Sequence, residues 1–150
     1  MSYNIMGNSM TSKWLQRFSQ MAELVASWSK DPSTQVGAVI VQSNRVVSLG
    51  FNGYPTGISD SAGADSRDIK LLKTLHAEEN AILFAKRDLT DCEMVVTHFP
   101  CPNCAAKIIQ TGIISVYSPT PTNDFQERWG DKIAISQSMF TDADVTVTWI

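Results

Sequence analysis

The chain has 150 residues, 43% of them apolar, and a formal net charge of −3 at pH 7. That is enough apolar material for one self-sufficient core, and the length fits a single domain spanning residues 1–150. Three cysteines exclude a disulfide-rich secreted scaffold, the acidic balance without a long basic run makes a polynucleotide an unfavoured partner, and no stretch is long and apolar enough for a membrane span. The opening "MSYNIMGNSMTSKW" lacks the apolar run of a secretory signal, so the expected setting is reducing and cytoplasmic.

In chain order, residues 1–11 are expected to be loosely ordered. From Ser12 to Ser29, Trp14, Phe18, Met21, Val25 and Trp28 recur at three- and four-residue steps, the stripe of an amphipathic helix stopped by Pro32. "QVGAVIVQ" and "RVVSLGFN" read as strands joined by a turn at Ser43 and Asn44. "GYPTGISDSAGADS" is a loop by composition, and a helix follows from Arg67 to Lys86 with an interruption before His76. "EMVVTH" is a strand, "CPNCAAKIIQTG" a helix ending at Gly112, and "IISVYS" a strand. After the turn "PTPTND", "FQERWGDKIAISQSMF" is a helix containing Gly130, and "DVTVTWI" is a last strand. Five short strands interleaved with helices predict an α/β fold with a covered central sheet, and the later strand–helix–strand units predict parallel pairs with right-handed crossovers. The pattern fixes no strand order.

The chemistry concentrates in two places. "HFPCPNCAAKII" carries Cys101 and Cys104 as a C-x-x-C pair at a helix start, where unpaired backbone N–H groups and the helix dipole favour thiolates. Pro102 suits the first helical turn, where its missing N–H matters little. Alone, such a pair serves redox exchange, a structural metal or a catalytic one. Upstream, "LHAEENAI" puts His76 and Glu78 two apart. One imidazole and two thiolates suit zinc and leave its fourth position open for a water, which the metal acidifies. Glu78 is then the proton carrier. The bland alternatives are a hydrogen-bonded core histidine, a solvent-facing glutamate and two buried thiols. His98 reads as pocket lining or a local hydrogen-bonding group, and Cys92 as packing.

H-x-E followed by P-C-x-x-C is the signature of zinc deaminases. With "SKDPSTQVGAVIV", "SLGFNGYPTGISD", "LHAEENAIL" and "HFPCPNCAAKIIQTGI", the chain resembles the dCMP deaminases of the cytidine and deoxycytidylate deaminase superfamily over roughly residues 27–118, its phage members above all. The resemblance implies a cytidine deaminase-like three-layer fold with a five-stranded mixed central sheet flanked by helices. It implies hydrolysis of dCMP to dUMP and ammonia, supplying dUMP for thymidylate synthesis in the cytoplasm, or in the host cytoplasm for a phage-encoded chain. One catalytic Zn2+ on His76, Cys101 and Cys104 is implied, with Glu78 as proton shuttle. Nucleoside, guanine and tRNA deaminases share the superfamily, and a zinc-stabilised interaction module is the non-enzymatic alternative.

By the same resemblance Asn52 contacts the deoxyribose, its alternative being a turn asparagine beside Gly53. Ala77 lies against the cytosine ring, and Phe99 and Pro100 shape the base pocket. A 5′-phosphate needs donors, for which Ser29, Lys30, Arg128 and Tyr117 with Ser118 are candidates, each with a surface or salt-bridge role as its alternative. Relatives of this kind form hexamers and are activated by dCTP with Mg2+ and inhibited by dTTP. The corresponding regulatory segment runs from Gly50 to Asp60 and includes Asn52, Gly53, Tyr54 and Gly57, whose glycines are otherwise ordinary turn residues.

Overall fold

The structure, a computed structural model, describes residues 10–59 and 64–150. The expectation of a loose amino-terminal segment and the regulatory candidate Asp60 therefore fall largely or wholly outside the described residues.

Helix α1 (Ser12–Ala26) buries Phe18, Ala22, Val25 and Ala26. It stops short of the predicted Ser29 because the next backbone N–H groups tighten onto closer carbonyls: Trp28 N donates to Val25 O and Ser29 N to Ala26 O. Asp31 then turns the chain, its Oδ1 accepting from Ser33 N at 2.8 Å and Thr34 N at 3.1 Å. Strands β1 (Gly37–Gln42) and β2 (Arg45–Phe51) form a hairpin. Its Ser43 and Asn44 both have positive φ, 51° and 62°, as a two-residue turn matched to strand twist requires.

The interruption predicted before His76 is real. Helix α2 (Arg67–Lys73) ends at Thr74 in extended conformation, and helix α3 (Ala77–Ala85) restarts after His76. Strand β3 (Glu93–Val96), helix α4 (Pro102–Gln110) and strand β4 (Ser115–Ser118) follow. Helix α5 (Asn123–Asp142) exceeds its predicted span at both ends, and its earlier start follows from Thr122, which caps it by accepting from Phe125 N at 3.2 Å. Strand β5 (Thr146–Trp149) is last.

The sheet order is β2-β1-β3-β4-β5. β1 runs antiparallel to both β2 and β3, whereas β3, β4 and β5 are parallel, so the sheet is mixed. Strand alternation divides the side chains between two faces. Ala38, Ile40, Met94, Val96 and Val116 join a core with Ala77 and Ala81 of α3, Ala105 and Ile108 of α4, and Ile133 and Phe140 of α5. Val39, Val41, Val95 and Tyr117 pack instead with Phe18 and Ala22 of α1. The result is three layers: α1, the sheet, and α3 to α5. Gly50 sets how closely α3 lies on β2, since a Cβ there would overlap the Ala77 carbonyl oxygen and the Ala81 nitrogen.

Candidate metal centre

Two helices begin at the same place. His76 is the N-cap of α3, Cys101 is the N-cap of α4, and Cys104 lies in the first turn of α4 behind Pro102. His76 Nδ1 is 3.2 Å from Cys104 Sγ and 3.7 Å from Cys101 Sγ. The three ligand atoms lie within 4.8 Å of one another. A tetrahedral ion with zinc–nitrogen and zinc–sulfur bonds of about 2.05 and 2.3 Å holds its ligands about 3.5 Å apart, so this donor set fits zinc with its fourth position left to a small molecule. A redox pair would not need the imidazole in this position.

The electrostatics favour bound cation. The Cys104 thiol, hydrogen-bonded to Cys101, holds the Cys101 sulfur down to about 4 against the opposing effect of burial, with His76 assisting. The same shared proton pushes Cys104 well up. His76 is raised, first by its hydrogen bond with Cys101. The pair thus presents one ready thiolate, and a divalent cation would displace the remaining proton.

Glu78 follows on the first turn of α3 and is buried at 4% exposure. Burial pushes its carboxyl up to about 7, with the nearby His76 acting in the opposite direction. A carboxyl so placed gives and takes a proton near neutrality.

Four ties fix the His76 segment. Leu75 and Gly53 exchange backbone hydrogen bonds of 2.8 and 3.1 Å. Asn80 Nδ2 donates to the Phe51 carbonyl at 2.8 Å. Glu79 Oε1 accepts from the His76 backbone N–H at 2.8 Å, and Glu79 Oε2 takes Lys107 Nζ of α4 at 2.8 Å. Sequence reading passed over Glu79, Asn80 and Lys107. The signal for Glu79 was available: a glutamate three residues after an N-cap is half of a capping box.

The structure gathers His76, Ala77, Glu78, Cys101 and Cys104 into one site through the starts of α3 and α4. Pro100 is buried in the loop leading to Cys101. Phe99 is buried in the core, its ring 4.9 Å from Trp149 and 6.0 Å from Phe140 between centroids. His98 Nδ1 is 2.9 Å from Thr97 Oγ1, and His98 lines a small cleft with Phe99, Thr122 and Phe125. Asn52 is committed to backbone: its Oδ1 accepts from Val36 N at 2.8 Å and its Nδ2 donates to Thr34 O at 2.9 Å. Ser29 Oγ donates to Asn52 O at 2.8 Å. Asn52 and Ser29 therefore lock the Asp31 loop to the end of β2.

Tyr117 lies on the opposite face of the sheet from α3 and α4, under α1, with Met10 N donating to its hydroxyl at 3.4 Å. Ser118 is fully buried and donates to Pro119 O at 3.0 Å. Lys30 and Arg128 are exposed. Cys92 is buried in the core away from the triad, as packing. In the regulatory segment, Gly50 lies beneath α3, Gly53 bonds Leu75, and Gly57, at φ 89°, turns the chain with Ile58 N donating to Pro55 O at 3.1 Å. Tyr54 donates its hydroxyl to Asp65 Oδ2 at 2.8 Å.

The model of the cytidine and deoxycytidylate deaminase zinc-binding region matches residues 12–119. The chain belongs to that family. An uncharacterized deaminase encoded in the region 3′ of luxG in Aliivibrio fischeri is 72% identical over 141 residues, covering 94% of this chain and 96% of that protein. The human deoxycytidylate deaminase is 43% identical over 112 residues, which cover 69% of this chain and 63% of the human protein. The fold is that of the cyanophage S-TIM5 dCMP deaminase, solved in complex with dCMP and dUMP: TM-score 0.74, 26% identity, 95% of this chain and 100% of the phage chain covered.

Proposed function

We propose that the chain is a zinc-dependent hydrolase that converts dCMP to dUMP and ammonia. The observation that carries this reading is the convergence of His76 Nδ1 with the Cys101 and Cys104 sulfurs beside a buried Glu78. Family membership and the likeness to deoxycytidylate deaminases support the choice of substrate.

Zinc held by His76, Cys101 and Cys104 supplies Lewis acidity and acidifies the attacking water. Glu78 accepts the proton released by that water and delivers it to N3 of the cytosine ring. A C–O bond forms at C4 as the ring takes up the proton. Glu78 then carries the second proton to the exocyclic amine, the C4–N bond breaks, and ammonia leaves. The site's burial keeps this carboxylate from dispersing its proton to bulk water. The Ala77 methyl is buried in the core, so its backbone is the part proposed to lie against the cytosine ring beside the proton carrier.

Specificity is assigned to the loop that Asn52 and Ser29 hold. Asn52 retains one amide N–H and one lone pair beyond its two backbone bonds, enough for a sugar hydroxyl. Lys30 and Arg128, both exposed, are proposed for the 5′-phosphate together with the hydroxyls of Ser29, Tyr117 and Ser118. Regulation by dCTP with Mg2+ and by dTTP, and a hexameric assembly, are proposed from family resemblance. A sigmoidal dependence of rate on dCMP, relieved by dCTP and restored by dTTP, is the expected signature.

The test is ammonia release by zinc-loaded protein from dCMP, deoxycytidine, CMP, guanine and a tRNA anticodon substrate. The expected result is a clear preference for dCMP. Equal or greater turnover of deoxycytidine would remove the phosphate-recognition claim, and turnover of guanine or tRNA alone would move the chain to another branch of the family.

A further inference from the structure

His76 and Glu79 are three residues apart at the start of α3, and Cys104 and Lys107 are three apart on α4. Residues at this spacing share a helix face. The two helices meet through both pairs: His76 Nδ1 with Cys104 Sγ at 3.2 Å, and Glu79 Oε2 with Lys107 Nζ at 2.8 Å.

Glu79 also reaches back. Its other oxygen, Oε1, accepts from the His76 backbone N–H at 2.8 Å. One carboxylate therefore joins the backbone of one metal ligand to the helix that carries the other two. Its side chain is 18% exposed, against 44% for Lys107, so the acid end is the fixed half of the link.

We propose that Glu79 and Lys107 are positioning residues that set the separation between His76 and the two cysteines, and so set the affinity of the site for zinc. The inference rests on the zinc reading above. A plain surface ion pair would do something different: it would add little to folding and leave the metal alone. The two roles separate because the link lies outside the two core clusters, while it bears directly on a ligand's backbone.

The experiment is competition for zinc against a chromophoric chelator, run on wild type, Lys107→Met, Lys107→Arg, Glu79→Ala and the double variant. It is accompanied by the visible spectrum of each protein loaded with Co2+ and the thermal midpoint of each zinc-free protein. Lys107→Met is expected to bind zinc about tenfold more weakly, at the low end of what an outer partner of a metal ligand contributes. Lys107→Arg restores the affinity and the cobalt spectrum. Glu79→Ala loses more than Lys107→Met, and adding Lys107→Met to it changes nothing further, since the link is already cut. The zinc-free midpoints of wild type, Lys107→Met and Lys107→Arg stay together, while those of Glu79→Ala and the double variant fall by the loss of the capping bond to His76. Unchanged zinc affinity and cobalt spectrum in Lys107→Met and Glu79→Ala would overturn the proposal while leaving the zinc reading intact. So would an affinity loss that merely follows the zinc-free midpoint. Failure of wild type to take up one zinc would overturn both.

Discussion

His76 Nδ1 stands 3.2 Å from Cys104 Sγ although 28 positions separate the two residues. The contact exists because α3 starts at His76, α4 starts at Cys101, and both helices pack on the same face of the sheet. The core beneath them is built from apolar side chains that include none of His76, Cys101 and Cys104. Stripping the metal with a chelator is therefore expected to abolish deamination while leaving the far-ultraviolet circular dichroism spectrum essentially unchanged. Zinc should raise the thermal midpoint in a concentration-dependent manner, as any ligand of the native state does. Loss of secondary structure on chelation would show the ion to be a structural one.

Gly50 has no room for a side chain. A Cβ would overlap the backbone of Ala77 and Ala81, and backbone does not yield as a flexible side chain does. Gly50→Ala is expected to destabilise the fold by about 3 kcal/mol, the upper range for overpacking, read as a fall in the urea midpoint at unchanged slope. Turnover of the folded fraction should also fall, since α3 carries both His76 and Glu78 and must move away from β2.

Asn52 holds two backbone groups that have no other partner described. Asn52→Ala leaves Val36 N and Thr34 O without it, a loss of about 2 kcal/mol in chemical denaturation. A rise in KM for dCMP larger than for a truncated cytosine substrate would add the sugar contact to this structural role. A change in KM without any loss of stability would contradict the clamp.

Glu93 and Tyr117 contribute a pH dependence of folding away from the metal centre. Burial raises its carboxyl above the ordinary value, opposed by the hydrogen bond from Tyr117, and its Oε1 is buried without a hydrogen-bond partner among the described residues. Burial also pushes the Tyr117 hydroxyl up to about 12, with Glu93 reinforcing the shift. Both groups are protonated more readily in the folded chain. The stability from Glu93 is complete below the carboxyl's unfolded value and is lost as pH rises through its raised folded value. That from Tyr117 is lost between about 10 and 12. Glu93→Gln is expected to flatten the mildly acidic part of the stability profile and to be more stable than wild type at neutral pH. A steeper profile in the variant would reverse the sign of this account.

The candidate metal ligands were legible because local spacing suggests them: H-x-E at a helix start and C-x-x-C ahead of a helix each specify geometry within one turn. The break between α2 and α3 was legible for the same reason, and so was the turn at Ser43 and Asn44. The ends of α1 and α5 were not, because their limits depend on carbonyls and a threonine cap beyond the apolar stripe. Tyr117 shows a different limit. Its place under α1 follows from pairing β4 with β3 in a register that sets it beside Val95, and periodicity within one strand carries no information about its neighbour. The donor chemistry of Ser29 and Asn52 is visible in the sequence, whereas the backbone groups that take up part of their hydrogen bonding are set by the folded loop.

Glu78 as proton carrier at a zinc site built by His76, Cys101 and Cys104 is tested most directly by ammonia release from dCMP by wild type and Glu78→Gln, each adjusted to one zinc per chain. Zinc affinity is expected to be equal and turnover lower by about 10²–10⁴-fold in the variant, the range of a lost general acid–base group. Equal turnover at equal zinc content would contradict that role.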